Sequence, residues 1–100
     1  MSLNKTYSAA YAGVCESLPF YMKALSEGAG HTVVVTAEAG GIEAVRAMFD
    51  AILDSGGRNV LVQALNSPSL PRWARDHLET LLYGSARQKV CALMAKNWLH

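Results

Sequence analysis

A pattern of short apolar segment, turn, helix and glycine-containing joint recurs along this chain, and it constrains the fold more than any other feature. It is clearest in residues 30–53, where Gly40-Gly41 separates the apolar segment from a helix. The apolar residues of that helix follow the spacing i, i+3, i+4, i+7 and i+8: Val45, Met48, Phe49, Ile52 and Leu53. Repetition of such a unit is typical of stacked helical arrays.

The same pattern can be placed at intervals of about 27 residues along the whole chain. A forward shift aligns Gly57 with Gly30, and a backward shift aligns Ala10 with Ala37 and Gly13 with Gly40. The chain of 100 residues has the length of one domain. We therefore predict a single mainly α domain, residues 1–100, of stacked helix-turn-helix units at 5–29, 30–56 and 57–84 with a C-terminal capping helix at 85–99.

The short apolar segments of these units leave an alternative open. Residues 32–37 and 59–65 are rich in valine, which favours strands because its side chain is stiff at χ1. With a helix at 42–54 between them, they would form a small α/β domain with a two-stranded parallel βαβ unit. Such a domain would bind a ligand at its strand ends or dimerise. The helical alternative is favoured because a two-stranded parallel sheet leaves its faces uncovered.

The second unit also matches a known repeat in its order of residue types. A Gly-x-Thr opening leads to a small-residue helix, a glycine turn and a second helix that starts hydrophobic-Glu-x-Val: Gly30, Thr32, Val34, Ala37, Gly40, Ile42-Glu43-Ala44-Val45 and Met48-Phe49. Gly57, Leu61 and Ala64 repeat the opening in the third unit. On these residues the chain resembles the ankyrin-repeat family.

The chain departs from that family in two respects. Val33-Val34-Val35 stands where the family has Pro-Leu-His, and the period is shorter than the family's length of about 33 residues. The missing residues fall between units, so a full-length projecting hairpin is not expected. The resemblance implies an array of helix pairs that contact their neighbours. It also implies a non-enzymatic protein-protein interaction module that binds another protein through its inner helices and loop tips.

Charge and composition argue against several other classes of protein. The formal net charge is +1, with −2 in residues 1–50 and +3 in residues 51–100. This balance lacks the dense basic face of a nucleic-acid-binding protein. A helix-turn-helix DNA-binding regulator, with its helices at 71–82 and 85–98, stays an alternative.

Residues with reactive side chains are too scattered to predict catalysis. The three histidines and two cysteines show no metal-ligand spacing, so no metal and no cofactor are expected. Cys15 and Cys91 are interpreted as buried thiols of a reduced compartment. No secretory pattern and no apolar run of about 18 residues occur, so we expect a cytoplasmic protein that does not cross a membrane. An exported effector with an uncleaved signal would show the same pattern.

Candidate partner-binding residues come from the repeat alignment. Tyr11, Thr36 and Gln63 each lie next to the aligned alanine of their unit, and Arg58 and Trp73 have the side chains that binding hot spots favour. These five residues are the predicted interaction site. A homodimer is left open, because short arrays can cover an apolar end by pairing.

Overall fold

Residues 2–84 are described by the structure, which is a computed structural model, and they are mainly helical. The helices are α1 (Ser2–Glu16), α2 (Leu18–Asp54), α3 (Arg58–Leu65) and α4, residues 72–84. The predicted capping helix at 85–99, Cys91 and the second helix of the DNA-binding alternative lie outside this range.

The two valine-rich segments are helical. Residues 32–37 lie inside α2, and residues 59–65 lie inside α3. No strand occurs between residues 2 and 84, so the mainly α prediction is confirmed and the βαβ alternative is wrong. A side-chain hydrogen bond from Thr36 Oγ1 to the Thr32 carbonyl, 2.7 Å, follows the i−4 geometry of a helix and accommodates a β-branched polar residue there.

Two glycines with non-helical backbone angles interrupt α2. Gly28 has φ −163° and ψ 78°, and Gly41 has φ 74° and ψ −172°. They divide the helix into α2a (residues 18–27), α2b (29–40) and α2c (42–54). At Gly41, α2b folds back along α2c, so that Thr36 Oγ1 lies 3.8 Å from the Met48 sulfur.

Local hydrogen bonds span the break at Gly28 and close the end of α2c. Across Gly28, the Thr32 hydroxyl donates to the Ala24 carbonyl at 3.0 Å, near the end of α2a. At the end of α2c, the Gly57 amide donates to the Ile52 carbonyl and the Gly56 amide to the Leu53 carbonyl, with Gly56 at φ 88°. This pairing is a Schellman motif, and it satisfies carbonyl groups that a helix end leaves without partners.

The turn of the first predicted unit is displaced. The repeat alignment equated Gly13 with Gly40, which placed a turn at Gly13. Instead, Gly13 lies inside α1, and the chain turns at Ser17, whose amide donates to the Val14 carbonyl at 3.1 Å. The reason is that Pro19, in the first turn of α2, has no amide hydrogen to donate and is tolerated only where a helix begins.

The core is built around α2c. Val45, Met48, Phe49 and Ile52 are at most 1% exposed. Every other helix contributes at least one buried apolar residue to the same cluster: Val14, Leu25, Val33, Leu61 and Leu78. The helix at the centre is therefore the one whose apolar spacing is clearest in the sequence.

Two long-range hydrogen bonds fix the direction of α1. Tyr7 donates to Asp50, and Tyr11 donates to Asp54 at 2.6 Å. Both pairs are separated by 43 residues, so α1 runs parallel to α2c in a constant register. These contacts join the first helix of unit 5–29 to the second helix of unit 30–56. The equivalence of the units and the ankyrin-like stacking stay predictions.

Candidate binding cleft

A cleft of about 560 Å³ lies between α1, α2a and α2b, with one contact from the start of α2c. Its volume is within the range of about 300–1,000 Å³ that is usual for ligand-binding clefts. It is lined mainly by small and apolar side chains: Ala9, Ala10, Gly13, Val14, Phe20, Tyr21, Ala24, His31, Thr32, Val35, Thr36, Ala39, Gly40 and Ala44.

The cleft exists because small residues face one another across it. On α1, Ala9, Ala10 and Gly13 follow helical spacing, so they share one face of that helix. A Cβ atom placed on Gly13 would meet no other atom within 4 Å. The space above α1 is therefore large enough for side chains that the described residues do not supply.

Large apolar side chains at the cleft are exposed to solvent. Phe20, at the start of α2a, is 67% exposed, and Val35, on α2b, is 46% exposed. Phe20 makes an edge-to-face contact with Tyr21, with ring centroids 5.3 Å apart. A grouping of exposed apolar residues around a concave surface is typical of an interaction site.

The polar side chains of the cleft are few, and its two threonines already have partners. The hydroxyl groups of Thr32 and Thr36 donate to the carbonyls of Ala24 and Thr32. Their protons are thus committed, although each oxygen can still accept a hydrogen bond. The Thr32 hydroxyl is directed at a carbonyl rather than at a base, so it is not arranged as a nucleophile. What the cleft offers a ligand is mainly apolar contact, with His31 exposed at one side.

Tyr7 and Tyr11 with their partners Asp50 and Asp54 form a polar cluster between α1 and α2c, here called the tyrosine–aspartate ladder. The rings of Tyr7 and Tyr11 lie 6.1 Å apart, which confirms that the two share a helix face. Hydrogen bonding to Asp50 raises the pKa of Tyr7 to about 12, and hydrogen bonding to Asp54 raises the pKa of Tyr11 to about 12. Burial and the negative charge of the carboxylates act in the same direction.

The ladder makes the stability of the protein depend on pH in the alkaline range. Because both folded-state pKa values lie above the ordinary value of 10, the ladder stabilises the fold fully below pH 10. This stabilisation is lost as the pH rises toward 12. We expect the double variant Tyr7→Phe/Tyr11→Phe to have a lower urea midpoint than the parent at neutral pH. The difference should shrink above pH 10. A difference that is independent of pH would contradict a contribution from the phenol protons.

His77, on α4, packs against α2c. Its ring stacks on Phe49, with centroids 6.0 Å apart and an angle of 19° between the planes. The ring is packed, but its Nε2 atom is buried with no hydrogen-bond partner. Burial lowers the pKa of His77, as does the positive charge of Arg46, whereas Asp50 and Glu43 oppose the shift. The imidazole is thus held in its neutral form.

The five predicted interaction residues are spread over α1, α2b, α3 and α4. Thr36 lines the cleft, whereas Tyr11 donates its hydroxyl hydrogen to Asp54. Arg58 lies over the Tyr83 ring, 5.3 Å from its centroid, and donates to the Leu82 carbonyl at 3.4 Å. Gln63 and Trp73 are exposed on α3 and α4.

Sequence reasoning missed the floor of the cleft. The small residues at positions 9, 10 and 13 share a helix face, and that spacing is visible in the sequence. The repeat alignment instead assigns these small residues to the first predicted unit, 5–29. A second correction concerns Cys15, which is an exposed free thiol rather than a buried one, because it lies on the solvent side of α1 next to Glu16.

Between residues 2 and 84, no group of three or more His, Cys, Asp or Glu side chains is arranged to hold a metal ion. Over that range, too, no helix has the length and apolar character needed to cross a membrane.

Comparisons with protein-family models, curated proteins and solved structures find no match for this chain.

Proposed function

We propose that this chain is a small, non-enzymatic protein-protein interaction module of the cytoplasm, and that the cleft between α1, α2a and α2b receives the apolar face of a helix from a partner protein. The observation that carries the proposal is the open floor at Gly13, bordered by exposed Phe20 and Val35. A groove with small residues below and large apolar residues at its sides matches the helix-in-groove mode of recognition.

The chemistry of the lining supports an apolar helix rather than a polar peptide as the partner's contribution. An extended peptide needs backbone hydrogen bonds, and the Thr32 and Thr36 protons are already donated within α2. A helix satisfies its own backbone groups and brings apolar side chains at i, i+3 and i+4. Such side chains would fill the space above Ala10 and Gly13.

The partner can be identified from the cleft itself. A photoreactive phenylalanine analogue at position 20 should cross-link the partner protein through the exposed side of the cleft. The identified partner is then purified, and its dissociation constant is measured with the parent chain and with variants. Direct measurement on purified proteins separates specific binding from adventitious capture.

Gly13→Leu is the decisive variant, and Ala12→Leu is its matched control. Both add a leucine side chain to α1, but Gly13 lines the cleft and Ala12 is exposed outside it. We expect Gly13→Leu to weaken binding at least about tenfold, which corresponds to about 1.4 kcal/mol. The Ala12→Leu constant should stay within about twofold of the parent, as is usual for contacts outside a hot spot.

The same measurement decides between the cleft and the residues predicted from the repeat alignment. If Arg58→Ala/Trp73→Ala abolishes binding while Gly13→Leu leaves it unchanged, the partner binds along α3 and α4 and the cleft proposal is wrong. If the double variant binds like the parent, Arg58 and Trp73 are not anchors.

A further inference from the structure

An open cleft and an exposed aromatic ring lie side by side on one surface of this molecule. Gly13 leaves space at the floor of the cleft, and Phe20, at its edge, is 67% exposed. We propose that the partner helix is α2a of a second copy of this chain, so that each copy places its Phe20 ring in the cleft of the other. This inference rests on the proposed function of the cleft, and it names the partner.

The shape of this surface is complementary to itself. In a dimer with a twofold axis, a projection on one copy must meet a recess on the other, and the same contact is then made twice. The Phe20 ring is the projection, because its edge-to-face contact with Tyr21 leaves most of it in solvent. The open floor at Gly13 is the recess. One type of contact therefore fills both clefts.

The charges on the exposed face of α2a are also complementary to themselves. Phe20, Lys23 and Glu27 fall at i, i+3 and i+7 of one helix face, and all three are exposed. Within residues 2–84, neither Lys23 nor Glu27 forms an ion pair. When two α2a helices pack antiparallel, Lys23 of one copy can lie opposite Glu27 of the other, and the twofold axis repeats the pair. A face of a single sign would instead repel a second copy.

The same register directs the Phe20 ring to the cleft. With Lys23 opposite Glu27, Phe20 lies level with Gly30 of the second copy, at the start of α2b. The next residue, His31, is exposed and lines the cleft. The ring therefore approaches from the His31 side. A phenyl ring suits this lining because it brings no polar group that the apolar side chains would leave without a hydrogen-bond partner.

Charge reversal tests whether Lys23 and Glu27 face each other between copies. Sedimentation velocity of the full chain, from about 1 μM to about 1 mM, measures the dissociation constant of the dimer. We expect Lys23→Glu alone and Glu27→Lys alone to weaken the dimer at least about tenfold, because like charges then meet at both pairs. An equimolar mixture of the two variants should return to within about threefold of the parent, because opposite charges face each other again in the mixed dimer.

Substitutions at the ring and the recess test the contact itself. Phe20→Ala and Gly13→Leu should each weaken the dimer at least about tenfold. Their matched controls are Ile42→Ala, at a residue that is 60% exposed but outside the cleft, and Ala12→Leu. Both controls should stay within about twofold of the parent. If Gly13→Leu unfolds the chain, Phe20→Ala carries the test.

Folding of each variant is checked separately from its association. A dimer is stabilised by mass action, so circular dichroism and urea denaturation are compared at dilutions where the parent and the variants are monomers. A variant that keeps the parent's helix content under these conditions has lost association and not its fold. A photoreactive phenylalanine analogue at position 20 should, in addition, join two copies of this chain.

Several results would overturn this inference. One is a parent chain that stays monomeric over the whole concentration range. Another is a mixture of the charge variants that associates as weakly as each variant alone, because Lys23 and Glu27 would then not face each other. A dimer that Phe20→Ala leaves unchanged uses a different surface. Growth into larger oligomers would indicate a head-to-tail contact instead of a twofold one.

The inference and the proposed function can fail separately. If the parent is monomeric but Gly13→Leu weakens a purified partner protein about tenfold, the cleft binds a different protein and only the inference is wrong. If the charge variants restore each other but Gly13→Leu leaves the dimer unchanged, the two copies meet outside the cleft, and the inference is again wrong. If Gly13→Leu affects neither a dimer nor a purified partner, the proposed function is wrong as well.

Discussion

Phe49→Ala is expected to lower the free energy of unfolding by about 3–5 kcal/mol, the usual cost of deleting a fully buried aromatic ring. Phe49 is 0% exposed and lies in α2c, in the buried cluster to which every other helix contributes. Its removal also leaves the His77 ring without its stacking partner. Domains of this size have about 5–15 kcal/mol of stability in total, so the variant should be folded only marginally.

Phe20→Ala is the matched control for this prediction. It removes the same ring from a position that is 67% exposed, so its cost should stay within about 0.5 kcal/mol. Urea denaturation followed by circular dichroism measures both variants. Equal losses at the two positions would contradict the central place of α2c in the core.

Gly41→Ala should destabilise the fold by about 1–3 kcal/mol. Gly41 has φ 74° and ψ −172°, a combination that residues with a Cβ atom adopt only under strain. A methyl group there would meet no atom within 4 Å, so the expected loss comes from the backbone and not from crowding. Strain at this point would weaken the fold between α2b and α2c.

Gly13→Ala is the control, because it adds the same methyl group at a position with helical backbone angles. Gly13 also has open space around its Cβ position, but it lies in the interior of α1. Alanine should therefore stabilise the protein by up to about 1 kcal/mol through its higher helix propensity. Thermal unfolding of the two variants should give shifts of opposite sign. Destabilisation of similar size at both positions would argue against a special backbone geometry at Gly41.

Helix periodicity made the central part of the fold predictable. The spacing of Val45, Met48 and Ile52 placed α2c correctly, since only a helix brings those side chains to one buried face. The valine run was ambiguous because β-branched residues also favour strands. In the structure Val33 is buried while Val34 and Val35 are exposed, a distribution that follows the helix rather than a strand.

The candidate site was far less predictable. The cleft depends on small residues that face each other across two helices, such as Gly13 and Ala24. The spacing of residues within one helix does not predict which other helix it packs against. The tyrosine–aspartate pairs join residues 43 positions apart, so the pattern within either helix alone could not reveal them. The repeat alignment predicts Thr36 as a partner-binding residue; it lines the cleft, but its hydroxyl donates within its own helix.

The separation of 43 residues between α1 and its partners on α2c also bears on the order in which contacts form during folding. The contact between Thr36 and Met48 closes a loop of 12 residues, whereas the contact between Tyr11 and Asp54 closes one of 43. The longer closure costs about 1.1 kcal/mol more in chain entropy. We therefore expect the contact between α2b and α2c to form before the contact between Tyr11 and Asp54. On this expectation, the first helix in the chain reaches its partners on α2c only after the helix pair that follows it has formed.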